Sequence, residues 1–158
     1  MREQIHKVWN RNPLAFTCFL TVIILFYPTG FVHEVGHLAA GYFSNTSCKL
    51  IIDWSLQANC KTIPEPILLY FSLGGILGMI ISLSLFVLPN VRNNKGILVG
   101  VSTIAFDHFL KAIFETFAHS AYITNFIFQM LMGVLVALFM IIMLRYFIQH
   151  EKNKRLFY

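Results

Sequence analysis

Leu14 to Phe43 reads LAFTCFLTVIILFYPTGFVHEVGHLAAGYF, and the fold turns on whether this run lies in water or in lipid. Its first half is continuously apolar, and the whole run exceeds the roughly 20 residues that cross a hydrocarbon core. Its second half sets His33, Glu34 and His37 in the same apolar surroundings. Composition decides for lipid: of 158 residues, 57% are hydrophobic and 12% charged, against roughly 25% charged in soluble domains. Three further runs are long and apolar enough to span, at about 67–88, 96–118 and 121–147. The expectation is one all-α polytopic membrane domain over residues 1–158, with about four transmembrane helices.

Pro28 and Gly30 interrupt the 14–43 run. A proline inside a helix removes a hydrogen bond and usually bends or breaks it. The run therefore reads as a kinked or tilted helix, or as two helices end to end. A basic lead-in before an apolar stretch is also a signal-peptide pattern. No small-x-small cleavage site precedes the His-Glu cluster, so the stretch reads as an uncleaved span.

Lysine and arginine set the expected orientation. Arg2, Lys7 and Arg11 precede the first run, Arg92 and Lys95 join the second to the third, and Arg145, Lys152, Lys154 and Arg155 fill the tail. In the connection from Ser44 to Pro66, Lys49 and Lys61 are balanced by Asp53 and Glu65. Four spans with both termini in the cytoplasm, in the cell membrane, satisfy the positive-inside rule. The net charge of +5 is then an orientation signal, with the tail near anionic lipid headgroups. No basic, aromatic-rich soluble face is present, so nucleic acid is not an expected partner. The lipid bilayer is, and the residues say nothing of oligomeric state.

The connection SNTSCKLIIDWSLQANCKTIPEP has strand-like composition at KLIIDW and around WSLQ, with Asn59 and Pro64 as turn residues. A small β-hairpin capping the outer end of the bundle is expected. Cys48 and Cys60 both fall there, on the face where a disulfide could form. Cys18, within the first span, reads as a small apolar filler.

His33 and His37 are four apart, so on a helix both imidazoles leave one face and can share a metal. Glu34 lies about 100° round from His33, close enough to reach a water there without being a ligand. Zinc hydrolases divide the work this way: imidazoles hold Zn²⁺, the pKa of its water falls towards about 7, and a carboxylate takes the proton. In water the cluster would be an ordinary charged face. In lipid each ionisable group costs roughly 2.5–3.5 kcal/mol, which calls for a metal or a polar cavity. Gly36, Ala39 and Ala40 are small enough to let a neighbouring backbone approach.

Between Ile67 and Leu88, and between Ala121 and Leu144, there is no Asp, Glu, His, Lys or Arg. A third ligand must then come from the third span, which holds Asp107, His108, Lys111, Glu115 and His119. At 100° per residue these five share an arc about 120° wide, which should face the bundle interior. A salt-bridged stripe, or an ion or proton path, would show the same pattern. Asp107 and His119 are about 18 Å apart along a helix, so one ion cannot use the whole stripe. A straight first span puts the His pair near its outer end, level with Glu115 and His119. A break at Pro28 and Gly30, or a steep tilt, brings it level with Asp107. Both remain open on the residues.

In three segments the chain resembles the site-2 protease family of intramembrane zinc metallopeptidases. HEVGHLAAGYF (His33–Phe43) is similar to that family's His-Glu-x-Gly-His helix. GGILGMI (Gly74–Ile80) stands where the family has a glycine-rich packing motif, with Met79 at a position often held by Asn. AFDHFLKAI (Ala105–Ile113) takes the place of its Leu-Asp-Gly segment, with His108 where the glycine would be. The resemblance implies that His33, His37 and Asp107 bind zinc and that Glu34 activates water. It implies peptide bonds in membrane-spanning or membrane-adjacent proteins as targets, cut by a minimal core without a PDZ or CBS domain. His108, Glu115 and His119 are then neighbours of the site, part of a water path, or alternative ligands. The competing expectations are a small metal-ion transporter or channel using the polar stripe, and a catalytically degenerate homologue.

Overall fold

The computed structural model describes residues 13–52, 56–62 and 67–156. In chain order these form α1 (Pro13–Phe43), the strands β1 (Cys48–Ile52) and β2 (Leu56–Cys60), and α2 (Ile67–Ser84), which ends in a 3₁₀ turn. A short α3 (Pro89–Asn93), then α4 (Lys95–Thr124) and α5 (Phe126–Leu156), complete the chain. Four stretches are long and apolar enough to cross a membrane: Pro13–Phe43, Ile67–Val87, Lys95–His119 and Phe126–His150. The basic residues Arg2, Lys7 and Arg11 lie outside the described residues, as do Asp53, Pro64 and Glu65.

α4 is the hub. Half of its spanning stretch is buried, against 6% for α5, and Val99, Val101, Thr103, Ile104 and His108 are almost wholly enclosed. α1 and α2 pack on α4 and on each other, while α5 lies along α4 and barely meets α1. Outward-facing Phe19, Ile24, Phe126 and Ile127 remain exposed, as expected of helices whose outer solvent is lipid. Buried hydroxyls turn back on their own helices: Ser82 donates to Gly78 O and Thr103 to Val99 O, each at 2.8 Å. That satisfies them without a polar neighbour.

α1 runs unbroken through Pro28, so the run is one helix and not two. At 1.5 Å per residue it is about 46 Å long, longer than the roughly 30 Å hydrocarbon core. The His-Glu cluster therefore sits towards its far end. There α1 and α2 meet backbone to backbone: a Cβ on Gly36 would lie 2.7 Å from Gly74 Cα, a crossing that only glycine permits. This close approach presses the histidine face of α1 against α2.

The spanning stretch of α4, Lys95–His119, ends where hydropathy places it, near residue 118. Ala118 leaves helical geometry (φ −137, ψ 31), yet the helix resumes to Thr124. The boundary is set by Asn125, whose Oδ1 accepts from Ile127 N at 3.0 Å and Phe128 N at 3.4 Å. An N-cap of this kind satisfies the first free amides of α5. Asn94 caps α4 in the same way, through Gly96 N at 3.0 Å and Ile97 N at 3.2 Å.

β1 and β2 pair antiparallel, with Cys48 opposite Cys60 and Lys49 opposite Asn59. Asn59 is thus part of the ladder and does not turn the chain. Cys48 and Cys60 are joined by a disulfide, and both strands rest on the end of α1.

Candidate metal centre

The i, i+4 spacing on α1 brings His33 Nε2 and His37 Nε2 to 3.2 Å. From α4, Glu115 closes the triangle, with Oε1 at 3.2 Å from His33 Nε2 and Oε2 at 3.3 Å from His37 Nε2. All three residues are buried. His37 Nδ1 lies 2.8 Å from the Tyr70 carbonyl, which can only accept, so the Nδ1–H donates and the Nε2 lone pair is turned to the centre. Ring orientation by such an outer partner is usual for metal-binding histidine.

The triangle fits a divalent ion on two counts. Ligands about 2.05 Å from a tetrahedral zinc lie about 3.3 Å from one another. The two imidazole nitrogens lie 3.2 Å apart, each meets its own Glu115 oxygen at 3.2 and 3.3 Å, and one ligand atom from each of the three residues falls within 4.8 Å of the others. Charge balance agrees. Asp107 is neutralised by Lys111, Nζ to Oδ2 at 2.8 Å, which leaves Glu34 and Glu115 as the uncompensated carboxylates of this cluster. A divalent cation cancels both, in surroundings where an unpaired charge is costly.

The third-span stripe does face inwards: Asp107, His108 and Glu115 are buried. Its members divide the work, however. Among the described residues the grouping able to hold a metal is His33, His37 and Glu115, and Asp107, the ligand implied by the family resemblance, stands outside it. The cause is α1. Because it is continuous through Pro28, the His pair lies level with Glu115, two turns and about 12 Å beyond Asp107. Lys111 also reaches over the Phe26 ring, 5.4 Å from its centroid.

His108 stacks on His33, ring centroids 5.5 Å apart, and fills the space left by Gly78. His119 follows the Ala118 kink and packs on Phe71 with ring centroids at 3.8 Å. Glu34 stands beside the triangle: its Oε1 is 4.0 Å from His33 Nε2, and its Oε2 accepts from the Ala58 amide of β2 at 2.7 Å. Tyr70 and Ala58 were not legible as site residues, since both act through backbone atoms that side-chain patterns do not report.

A cavity of about 480 Å³ opens on the cluster, walled by Glu34, His37, Ala58, Tyr70, Glu115 and His119 among others. That is within the roughly 300–1,000 Å³ of ligand-binding pockets. A larger hollow of about 820 Å³ lies at the other end of α1, around Pro13, Asn93 and Lys95. Among the described residues its wall has no His, Cys, Asp or Glu, so the chemistry belongs to the smaller cavity. No protein-family model, curated protein or solved structure matches this chain.

Proposed function

We propose that this chain is an intramembrane zinc metalloprotease, hydrolysing peptide bonds in membrane-spanning or membrane-adjacent proteins. One observation carries the reading: His33, His37 and Glu115 converge at the spacing of a shared ion, beside a further carboxylate in a cavity wall. On this reading His33 Nε2, His37 Nε2 and Glu115 hold the ion, and Asp107 serves the ion pair with Lys111. Zinc bound there would acidify a water towards pKa about 7 and polarise a carbonyl.

Glu34 Oε1 then takes the proton of the attacking water. The water oxygen adds to the carbonyl carbon, the C–N bond breaks, and Glu34 returns the proton to the leaving amine. Tyr70 O keeps His37 in the tautomer that presents Nε2. A helical substrate must open locally to offer its peptide bond, so spans containing glycine or proline are the expected targets. With both termini in the cytoplasm of a cell-membrane protein, the hairpin and its disulfide lie on the oxidising side.

The ion-path alternative has an obstacle: Lys111, held at 2.8 Å from Asp107, sets a fixed cation on the line a metal ion would follow. The test is Glu34→Gln in the purified full chain, with a designed single-span peptide carrying glycine in its span. Cleavage should fall by about 10²–10⁴-fold, the usual contribution of a general base, while zinc content stays the same. Retained cleavage would sink the role given to Glu34. Zinc flux into proteoliposomes that survives the substitution would favour the ion path.

A further inference from the structure

We propose that the β1–β2 hairpin is a positioning strap for Glu34, seated by the Cys48–Cys60 disulfide, so that hydrolysis depends on the redox state of that bond. The proposal rests on the peptidase reading for what Glu34 does.

The register shows how the strap works. Lys61 N bonds to Ser47 O at 3.1 Å, and alternation along an antiparallel ladder then turns the amides of Asn59 and Gln57 towards β1. Ala58 is left with its N–H on the free edge, where amides usually go to water or to another strand. Here that amide donates to Glu34 Oε2 at 2.7 Å, a charge-assisted bond of good geometry. A glutamate side chain has three free torsions. With Oε2 fixed, the other oxygen is turned to the metal face, 4.0 Å from His33 Nε2. Catalytic groups are effective when held in this way before substrate arrives.

The disulfide seats the strap. It ties the last pair of the ladder, Cys48 and Cys60. On one side Cys48 Sγ rests against Gly41 of α1, where a side chain would collide. On the other the Tyr70 hydroxyl donates to Cys60 Sγ at 3.4 Å, and the same Tyr70 holds His37 through its carbonyl. A two-stranded hairpin alone is marginal in water, so its place depends on this closure. Reduction adds two electrons and two protons, breaks the S–S bond and leaves two thiols. With the phosphine TCEP as reductant, the phosphorus takes oxygen from water and ends as the phosphine oxide.

The test combines hydrogen exchange at the Ala58 amide, read by mass spectrometry on the detergent-purified full chain, with zinc content and cleavage of the same designed peptide. Exchange at Ala58 should be at least about tenfold slower in the wild type than in Glu34→Ala, and TCEP should remove that protection. Zinc per chain should not change on reduction. Cleavage should lose at least about tenfold in kcat, with KM nearly constant, on reduction and in Ala58→Pro. Proline removes the amide at an edge position that tolerates it, and Ala58→Ser, which keeps the amide, should restore kcat; thermal melts control for folding. Equal exchange at Ala58 in the wild type and Glu34→Ala would overturn the proposal. So would zinc loss on reduction, or full activity with zinc retained in Cys48→Ser/Cys60→Ser. A chain that cleaves nothing in any form would count against the peptidase reading, while the exchange data would still decide the strap.

Discussion

Glu115→Gln separates the two carboxylates that compete for the third ligand position. The replacement keeps the shape of the side chain and removes its charge. Glu115 bridges both histidines, at 3.2 Å and 3.3 Å, so its loss should be felt directly by the ion. Structural zinc sites bind with about 10–16 kcal/mol over four ligands, or about 2.5–4 kcal/mol for each. A carboxamide keeps a weak oxygen donor, so about 2–3 kcal/mol should be lost, which is about 30–150-fold in Kd. Asp107→Asn should change Kd by about twofold at most, since sites without shared partners act independently within about 0.3–0.5 kcal/mol. The assay is competition with a chromophoric chelator on detergent-purified, metal-stripped protein, with thermal melts to confirm folding. An equal or larger effect from Asp107→Asn would refute the assignment and require α1 to bend at Pro28.

Other substitutions probe the frame. In Gly74→Ala the new methyl would sit 2.6 Å from His37 Nε2 and 2.8 Å from His33 O; about 1–3 kcal/mol of stability should go, together with zinc affinity, and an unaltered melt would contradict the crossing. Lys111→Met leaves Asp107 without its partner at 2.8 Å and should cost about 3–5 kcal/mol. Adding Asp107→Leu should recover most of it, and failure to recover would mean that Asp107 has another role. Removing zinc with EDTA from protein kept in free zinc at about 100 times the Kd should forfeit about 2.7 kcal/mol. That corresponds to a melting temperature lower by about 5–10 °C for a chain of this size, and no change would argue against a bound metal.

The four spans were legible because hydropathy reports the solvent directly, and the burial of Asp107, His108 and Glu115 followed from the 100° arithmetic of their stripe. The end of the third span near residue 118 was legible in the same way, but the helical turn beyond the Ala118 kink was not, because Asn125 ends it by capping and leaves no mark in hydropathy. The choice between Asp107 and Glu115 turned on Pro28. A straight α1 brings His33 and His37 level with Glu115, and a broken one brings them level with Asp107, but local propensity at a proline does not decide between these. Packing does, through the Gly36–Gly74 crossing and the contacts of α1 with α4. The hairpin could be expected from its strand-like composition. Its engagement of Glu34 could not, because an edge amide is the same atom in every residue but proline.

The most direct measurement is metal content by mass spectrometry on detergent-purified protein, wild type beside His33→Ala/His37→Ala. The wild type should carry about one zinc per chain, as expected of a single site with three protein ligands and one open position, and the folded double variant none. A wild type without metal, or a double variant that keeps it, would contradict the claim that α1 and α4 together build a metal centre.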